Sequence, residues 1–428
     1  MKFTAVGDVL IQRKIPEEYA GFHDIKEYIE KGDCCFFNLE TTLNKEGECH
    51  ASQYSGGTYL RADPEVLKDV VKFGFNMTTF NNNHAMDFCY DGLLKTFHTI
   101  NKNNLIQSGV GRNLGEASAP NYLETKSGRV ALIAVNFSFN PAAMAGKQSR
   151  RISGRPGING IQVEETLIVN EEQMAALKEI AEQTDLNAQI EISIKEGYTP
   201  SLPDGTFFFG KTLCKTGRKT KKENRIKESD MQRVLDSIFE AKLQSDYIII
   251  SFHSHELSGN KKENPADFLR YFAHKCIDKG ANAIIGHGPH LLRPIEIYKN
   301  RPIFYSLGDF ILQLYNIQFA PEEFYEKYNL TSDMTIHSLL KKRSNNFTRG
   351  LMTDERMLQS VIPYWETEDG DLTKLELLPV ELINNGNNSL IGLPVPSRKI
   401  DILKEIKKLS APYGTKINIS NMLGHCEW

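Results

Sequence analysis

The chain has 428 residues, of which 40% are hydrophobic and 25% are charged, and its formal net charge is −3 at pH 7. A core of ordinary size is therefore expected, and the near-neutral charge gives no indication of binding to nucleic acid or to an anionic membrane surface. The seven cysteines are scattered without a CxxC pair, which favours reduced thiols over a disulfide framework or a thiolate zinc site.

Along the first 140 residues, apolar strand-like runs alternate with helical patterns. Strands are predicted at residues 2–6, 34–39, 75–80, 106–110 and 129–137,. Helices are predicted at residues 25–30 and 91–100, and a third is predicted to start at Asp63, where Pro64 suits a first helical turn,. Alternation at this spacing is typical of βαβ units and predicts an α/β layered fold.

From residue 140 to about residue 244 the alternation loosens, and we interpret this segment as an insertion. It contains a strong helical pattern at residues 171–182 and a densely basic run at residues 215–227. The α/β pattern resumes at Asp246, with strand-like runs at residues 248–252, 283–285 and 302–307,. We therefore predict a first domain of residues 1–314 that contains the insertion.

Residues 315–428 are predicted to form an extension packed on the same domain. The pattern indicates a helix near residues 400–408 and a strand at residues 374–378 that Pro379 would end,. The chain starts directly in a strand-like run without a signal-peptide pattern,. No later run approaches the roughly 20 apolar residues of a membrane span, so we predict a cytoplasmic protein.

The basic run at residues 215–227 has two interpretations. A solvated surface explains it most simply, whereas the alternative is a lid that attracts an anionic substrate. If it is such a lid, neutralising several of its lysines is expected to raise KM and weaken the salt dependence of the kinetics, because fewer charges then attract the substrate. Steady-state kinetics at several salt concentrations measures both effects, and unchanged kinetics would leave the solvated-surface interpretation.

Polar side chains follow the apolar runs repeatedly, at the place where open α/β sheets keep their ligand sites. They are Asp8, Glu40, Asn83, His84, His253, His255, His287, His290 and Asp309. Carboxylates, imidazoles and an amide without a thiolate suit Mn²⁺, Fe²⁺ or Zn²⁺. Two such ions roughly 3.5–4 Å apart are used in hydrolytic phosphoesterases. Taken singly, Asp8 is explained better as a turn cap and Glu40 as a partner of a helix dipole than as metal ligands.

Six short motifs occur in an order that resembles a known family. They are Val-Gly-Asp-Val, Phe-Asn-Leu-Glu-Thr-Thr, Asn-Asn-His-x-x-Asp-(x)4-Gly-Leu, a strand followed by His, Gly-His-x-Pro-His and Tyr-Ser-Leu-Gly-Asp-Phe, between residues 3 and 311. This order resembles the CapA family of capsule or poly-γ-glutamate synthesis proteins, which are similar to calcineurin-like metallophosphoesterases. The resemblance implies a four-layer α/β/β/α sandwich with its site at one edge of the paired sheets.

The resemblance also implies roles for individual residues. It puts Asp8 on a first ion, Glu40 between two ions, Asn83 and His253 on the second ion, and His287 and His290 as completing ligands. His84 is implied as the acid near the leaving group, and Asp87 of the same motif and His255 complete the catalytic set. The usual Asp-x-His motif is Asp8-Val9-Leu10 here. The implied cofactors are one or two divalent ions, namely Mn, Zn or Fe.

Three functions remain open from the sequence. The first is a metal-dependent hydrolase of a phosphoester or a related amide, with metal-bound hydroxide as the nucleophile and His84 as general acid. The second is an accessory protein that binds poly-γ-glutamate or a similar polyanion without turnover. The third is a non-catalytic metal-binding module. The expected partner is an anionic small molecule or polymer, with no nucleic acid and no membrane span.

Overall fold

The structure is a computed structural model that describes residues 1–55, 57–314, 317 and 320–428. In chain order, the first strands are β1 (Lys2–Leu10), β2 (Cys34–Leu39), β3 (Thr42–Leu43), β4 (Arg61–Ala62), β5 (Met77–Thr79), β6 (Ile106–Ser108), β7 (Val110–Gly111), β8 (Asn121–Thr125) and β9 (Gly128–Asn136). The first helices are α1 (Phe22–Ile29), α2 (Val66–Val71), α3 (Cys89–Lys102) and α4 (Leu114–Ser118). These elements confirm the alternation predicted from the sequence.

The remaining strands are β10 (Gly157–Ile158), β11 (Val163–Val169), β12 (Thr206–Phe209), β13 (Thr212–Thr216), β14 (Lys221–Ile226), β15 (Tyr247–His253), β16 (Ala283–His287), β17 (Ile295–Tyr298), β18 (Arg301–Phe304), β19 (Asp309–Leu312), β20 (Gln359–Glu368), β21 (Asp371–Leu382), β22 (Pro394–Pro396), β23 (Lys416–Ser420) and β24 (Leu423–Glu427). The remaining helices are α5 (Glu171–Gln183), α6 (Ala188–Lys195), α7 (Glu228–Lys242), α8 (Asp267–Lys279), α9 (Glu322–Glu326), α10 (Ile336–Arg343) and α11 (Asp401–Ser410).

Within the described residues, two compact units are formed, one by Met1–Gly160 with Gln232–Trp428 and the other by Ile161–Met231. The larger unit contains two large sheets. The first has the order β23-β24-β21-β20-β1-β2-β5-β6, with β19 also paired to β1 and β22 to β21. The second has the order β17-β18-β16-β15-β9-β8. The boundaries that the sequence predicts for the domain, its insertion and its extension stay a prediction.

The two large sheets pack face to face through an aromatic core. Phe3 of β1 stacks on Tyr247 of β15, with ring centroids 4.2 Å apart, and Trp365 of β20 lies 5.4 Å from Phe304 of β18. All four side chains are almost fully buried. Burying such large apolar surfaces is the main favourable term that holds two sheets together.

Helices cover the outer face of each large sheet. On the first sheet, Ile25 of α1 and Leu67 of α2 share a core with Phe37 of β2. On the second sheet, Phe272 of α8 packs against Phe252 of β15, with ring centroids 6.4 Å apart. The layers therefore run helix, sheet, sheet, helix, which confirms the predicted α/β/β/α sandwich.

The smaller unit has a four-stranded sheet of its own, in the order β12-β13-β11-β14. Asn170 starts α5 through a capping box with Gln173,. Part of the predicted basic run lies on β14, where Lys222 pairs with Glu165 of β11 and Lys221 lies 2.6 Å from Glu223. Acidic neighbours inside this unit therefore compensate some of the positive charge of the run.

The prediction that Pro379 ends a strand is wrong, because β21 continues through it to Leu382. Pro379 lies opposite Val361 of the long strand β20. Its carbonyl accepts a hydrogen bond from the N–H of Ser397, next to the short strand β22. Because the N–H and C=O of one strand residue point to the same side, the donor that proline lacks is lost on the β22 side only, and the ladder to β20 stays intact.

The helix predicted near residues 400–408 is confirmed as α11. In the part of the chain that the structure describes, no helix combines the length and the apolar character that crossing a bilayer requires.

Candidate metal centre

The parallel strands β1, β2, β15 and β16 bring polar residues together at their carboxyl ends. Asp8 near the end of β1 is paired in register with Asn38 of β2, and His253 is paired with His287 at the ends of β15 and β16. Carboxyl ends of neighbouring parallel strands meet at one edge, where α/β folds hold ligands. These side chains are buried, with exposed fractions of 0 to 1%.

An irregularity of β1 turns the side chain of Asp8 toward the polar residues at the ends of β2, β15 and β16, with which it forms one buried cluster. Phe3 and Ala5 belong to the core between the sheets, whereas Val9 belongs to the core under the outer helices. The pairing of β1 shifts register on both sides of Asp8. Such bulges re-aim side chains and are common next to active sites. Asn38 donates to Oδ1 of Asp8 at 2.6 Å, and the Gly288 N–H donates to Oδ2 at 2.9 Å.

Glu40 directly follows β2 and is completely buried. Among the described residues, neither of its carboxylate oxygens has a hydrogen-bond partner. Its Oε1 lies 3.8 Å from Nε2 of His253 and 4.0 Å from Nε2 of His290. A buried carboxylate without hydrogen bonds is costly, so this residue either holds a proton or pairs with a cation that the protein side chains do not supply at bonding distance.

The histidines form a connected set. Nδ1 of His253 lies 3.0 Å from Nδ1 of His287, and Nε2 of His253 lies 3.2 Å from Nε2 of His255. Ser251 holds the other nitrogen of His287, with 2.7 Å between Oγ and Nε2. Nδ1 of His287 also lies 3.7 Å from Oδ1 of Asp8. Nitrogen atoms this close to one another and to a carboxylate suit a shared positive ion.

His290 approaches the cluster from a loop after β16. Its backbone is left-handed, with φ of 58°, and Gly288 two residues earlier has φ of 117°. A non-glycine residue in this region is strained and is common at functional sites. In this conformation Nδ1 of His290 lies 2.9 Å from Oδ1 of Asp309, while the other oxygen, Oδ2, has no hydrogen-bond partner among the described residues.

Burial dominates the electrostatics of the cluster. Burial, partly offset by His290, raises the pKa of Asp8 to about 7, and burial together with Asp8 raises the pKa of Glu40 well above its usual range,. Burial also lowers the pKa of His287 to about 3. For His290 burial lowers the pKa, but the carboxylates Asp309, Glu40 and Asp8 outweigh it and raise the pKa to about 10.

The donor set fits divalent metal ions. Among the described residues, three overlapping groups place one ligand atom of each member within 4.8 Å of the others. The groups are Asp8 with His253 and His287, Glu40 with His253 and His255, and Asp8 with His290 and Asp309. Oxygen and imidazole ligands of this kind suit Mn²⁺, Fe²⁺ and Zn²⁺. The unpartnered oxygens of Glu40 and Asp309 are the atoms that such an ion would satisfy.

His84 and Asp87 form a pair beside the cluster. Nδ1 of His84 lies 2.7 Å from Oδ2 of Asp87, and the same oxygen accepts the N–H of Leu60 at 2.8 Å. The side chain of Asn82 contacts this segment as well, because its Oδ1 accepts the His84 N–H at 3.1 Å. A carboxylate on Nδ1 fixes the ring and leaves Nε2 for a proton transfer.

Two cavities adjoin the cluster and share Asn83 and His255 in their walls. One has a volume of about 620 Å³ and is also lined by His84 and His290, and the other has a volume of about 280 Å³. The three groups above concern carboxylates and imidazoles, so they do not test an amide ligand such as Asn83. Its role as a ligand therefore stays a prediction.

Three residues of the site are absent from the predicted ligand and catalytic sets. Asp309 is among the polar residues that follow apolar runs, but the assigned roles leave it out. Asn38 lies within a predicted motif and holds Asp8. Arg293 is fully buried, and its guanidinium donates to the carbonyl oxygens of Ser254 at 3.3 Å and Glu256 at 2.9 Å. In the sequence, Arg293 is indicated by its position three residues after His290 and by the apolar run that surrounds this basic residue.

Comparison with known proteins finds several similar chains. The family described as bacterial capsule synthesis protein PGA_cap matches residues 2–314. Uncharacterized protein y4sH of Sinorhizobium fredii is 32% identical, over 98% of this chain and 92% of its own. Capsule biosynthesis protein CapA of Bacillus anthracis is 23% identical, over 73% of this chain and 59% of its own. The crystal structure of a hypothetical protein from Thermus thermophilus aligns with a TM-score of 0.39 at 10% identity, covering 89% of this chain and 99% of its own.

Proposed function

The chain belongs to the bacterial capsule synthesis protein family PGA_cap, and from its buried cluster we propose that it is a metal-dependent hydrolase of a phosphoester or a related amide. The observation that carries this proposal is the set of buried carboxylates Asp8, Glu40 and Asp309 facing four histidines, with oxygen atoms that lack hydrogen-bond partners among the described residues. In a structural ion pair the carboxylate oxygens are bound by the protein's own cations, whereas in a metal centre they must be available to bind the ion.

The residues proposed to hold the ions are Asp8, Glu40, Asp309, His253, His255, His287, His290 and Asn83. When bound, a divalent ion would polarise the phosphoryl or acyl group and make water nucleophilic at neutral pH. The protein contributes fixed ligands around it. Ser251 holds one ring nitrogen of His287, and Asp309 holds one ring nitrogen of His290. Such contacts orient metal-binding imidazoles.

His84 is proposed as the general acid. In its protonated form it gives a proton to the oxygen or nitrogen that leaves, so that the leaving group departs neutral. Asp87 is a positioning residue, because its carboxylate binds Nδ1 of His84 and so leaves Nε2 on the side of the ring that points away from Asp87. Arg293 is also a positioning residue, since it holds the backbone carbonyls next to His255.

Metal analysis followed by a substrate screen tests the proposal. The protein is stripped with a chelator, loaded with Mn²⁺, Zn²⁺ or Fe²⁺, and assayed with phosphomonoesters, phosphodiesters and γ-glutamyl peptides. Turnover that disappears in folded His287→Ala protein supports the hydrolase. Failure to hold a stoichiometric ion after loading contradicts it, and stoichiometric metal without any turnover or polyanion binding indicates a non-catalytic module.

A second candidate is an accessory role in which the site binds an acidic polymer without hydrolysing it. The name of the Bacillus anthracis relative, a capsule biosynthesis protein, and the arginines Arg343 and Arg349 beside the larger cavity favour this role. Tight binding of poly-γ-glutamate to the metal-loaded protein, without release of shorter fragments, would distinguish it from the hydrolase.

Metal affinity is expected to increase with pH. An ion must displace the protons from its ligands, and the metal-free protein holds a proton on Asp8 below about pH 7 and on His290 below about pH 10. The apparent affinity for Mn²⁺ should therefore rise about tenfold per pH unit or more between pH 6 and pH 7. Titration calorimetry at several pH values measures it. An affinity that stays constant from pH 6 to pH 8 contradicts this assignment of ligands.

A further inference from the structure

The larger cavity beside the metal centre differs in character from the centre itself. It has a volume of about 620 Å³ and opens onto His84, His255 and His290, so a molecule bound in it would have one end at the cluster. Its size lies in the ordinary range for small-molecule sites. The cavity can therefore hold a substrate portion that is much larger than a phosphate or a carboxylate group.

One wall of this cavity is supplied by residues 340–351, which lie beyond the residues 2–314 that the family model matches. Leu340 of α10, Phe347 and Leu351 contribute apolar surface to this wall. Leu257 and Ile317 add apolar surface elsewhere in the lining. Apolar surface facing a cavity favours an apolar occupant, because binding then removes apolar surface of both from water.

The charges that line the same cavity are all positive. They belong to Lys262, Arg293, Arg343 and Arg349, and no Asp or Glu is among the described lining residues. Arg343 lies over the ring of Phe324, at 5.7 Å from the centroid, and no carboxylate of the described residues forms an ion pair with Arg343 or Arg349. Cations without acidic partners on a cavity wall favour an anionic ligand group.

Arg293 strengthens this charge argument. Its guanidinium is fully buried, and the atoms it binds are backbone carbonyls of residues 254, 255, 256 and 262. Carbonyl oxygens satisfy its hydrogen bonds without neutralising its charge. A positive charge is therefore retained in the same lining that contains the half-buried Arg343 and the exposed Arg349,.

We propose that the site takes a substrate with an apolar chain that carries a second anionic group. The reacting phosphoryl or acyl group lies at the histidines, the chain lies against Leu340, Phe347 and Leu351, and the distal anion is bound by Arg343 and Arg349. This inference rests on the proposed hydrolytic function, because that function puts the reacting group at the cluster. The selectivity of this member would then come from residues 340–351.

Binding of three phosphonates tests the inference without requiring turnover. The probes are methylphosphonate, octylphosphonate and 8-phosphonooctanoate, titrated calorimetrically into the Mn²⁺-loaded protein. The octyl compound has seven more carbon atoms than the methyl compound and is expected to bind about 10²-fold more tightly, because about half of the added chain is expected to be buried. The terminal carboxylate is expected to improve the dissociation constant about fivefold further, as a partly exposed ion pair does.

Variants of the cavity wall at residues 340–351 test whether this wall causes the two increases in affinity. Leu340→Ser with Phe347→Ser is expected to remove most of the octyl gain, and Arg343→Ala with Arg349→Ala is expected to remove the carboxylate gain alone. The control is Lys341→Ala with Lys342→Ala, which removes the same number of charges, from the helix that carries Arg343, but leaves the lining unchanged. Circular dichroism checks that each variant is folded.

The outcomes separate this inference from the proposed function. Equal dissociation constants for the three phosphonates, or unchanged gains in the folded wall variants, overturn the inference even when metal binds and turnover occurs. If no ion binds but the dependence on chain length and on the wall residues remains, the hydrolase proposal fails, and with it the position of the reacting group, whereas the binding of the apolar chain and the distal anion by the wall is supported.

Discussion

Replacing Glu40 by glutamine is expected to remove most of the affinity for divalent ions while leaving the metal-free protein at least as stable as the wild type. Glu40 is fully buried, its oxygens have no hydrogen-bond partner among the described residues, and Asp8 is a neighbouring negative charge. Removing its charge breaks no hydrogen bond to these residues and relieves an unfavourable burial. Metal affinity should fall about 10²-fold or more, because a ligand itself is lost.

Glu296→Gln is the matched control, since Glu296 is also buried but has partners. Its Oε1 accepts from Arg270 at 2.7 Å and its Oε2 from Tyr305 at 2.7 Å. This variant should lose about 2 to 4 kcal/mol of unfolding free energy and keep its metal affinity. Thermal unfolding with chelator and with Mn²⁺, together with metal analysis, measures both quantities. A Glu40→Gln protein that is strongly destabilised without metal, or that binds metal normally, contradicts the proposed centre.

Replacing His84 by alanine is expected to lower kcat about 10²- to 10⁴-fold for substrates with poor leaving groups. The effect should be much smaller for a p-nitrophenyl ester, because nitrophenolate leaves without a proton. Metal content should not change, since His84 belongs to none of the three ligand groups among the described residues. This dependence on the leaving group distinguishes an acid from a residue that merely supports the fold.

Two further variants complete this experiment. Asp87→Asn is expected to lower kcat less than His84→Ala does and to shift the alkaline limb of the pH profile, because a neutral amide stabilises a protonated ring less than a carboxylate does. His98→Ala, on the exposed face of α3, is the control and should change neither value. Equal losses of kcat for good and poor leaving groups in His84→Ala would remove His84 from the role of acid.

The layered fold and the meeting of its strand ends follow directly from sequence patterns. Almost wholly apolar runs such as Cys34–Leu39 are typical of strands covered on both faces, and parallel strands that neighbour each other end at a common edge. The approach of Asp8 to His287, 279 positions later, follows from that topology. Local pattern and long-range geometry therefore agree for β1, β2, β15 and β16.

Other features depend on pairings that no local pattern encodes. The sequence pattern puts Asp309 at the end of the apolar run at residues 302–307, whereas it begins β19, which pairs with β1 in the other sheet. The hairpin of β20 and β21 carries Pro363 and Pro379, which obscure it in the sequence. The cavity wall at residues 340–351 has no chemical motif, and only its position in the fold brings it to the cluster.

The pairing of β1 with β20 determines how the protein can be divided. Lys2, Phe3 and Thr4 lie opposite Glu366, Trp365 and Tyr364, so a fragment that stops at residue 314 would keep the whole proposed centre but expose one edge of a central strand. Free strand edges pair with other chains. Such a fragment is expected to self-associate during expression, and limited proteolysis that cuts between α9 and β20 should leave both pieces bound to each other until denaturant is added.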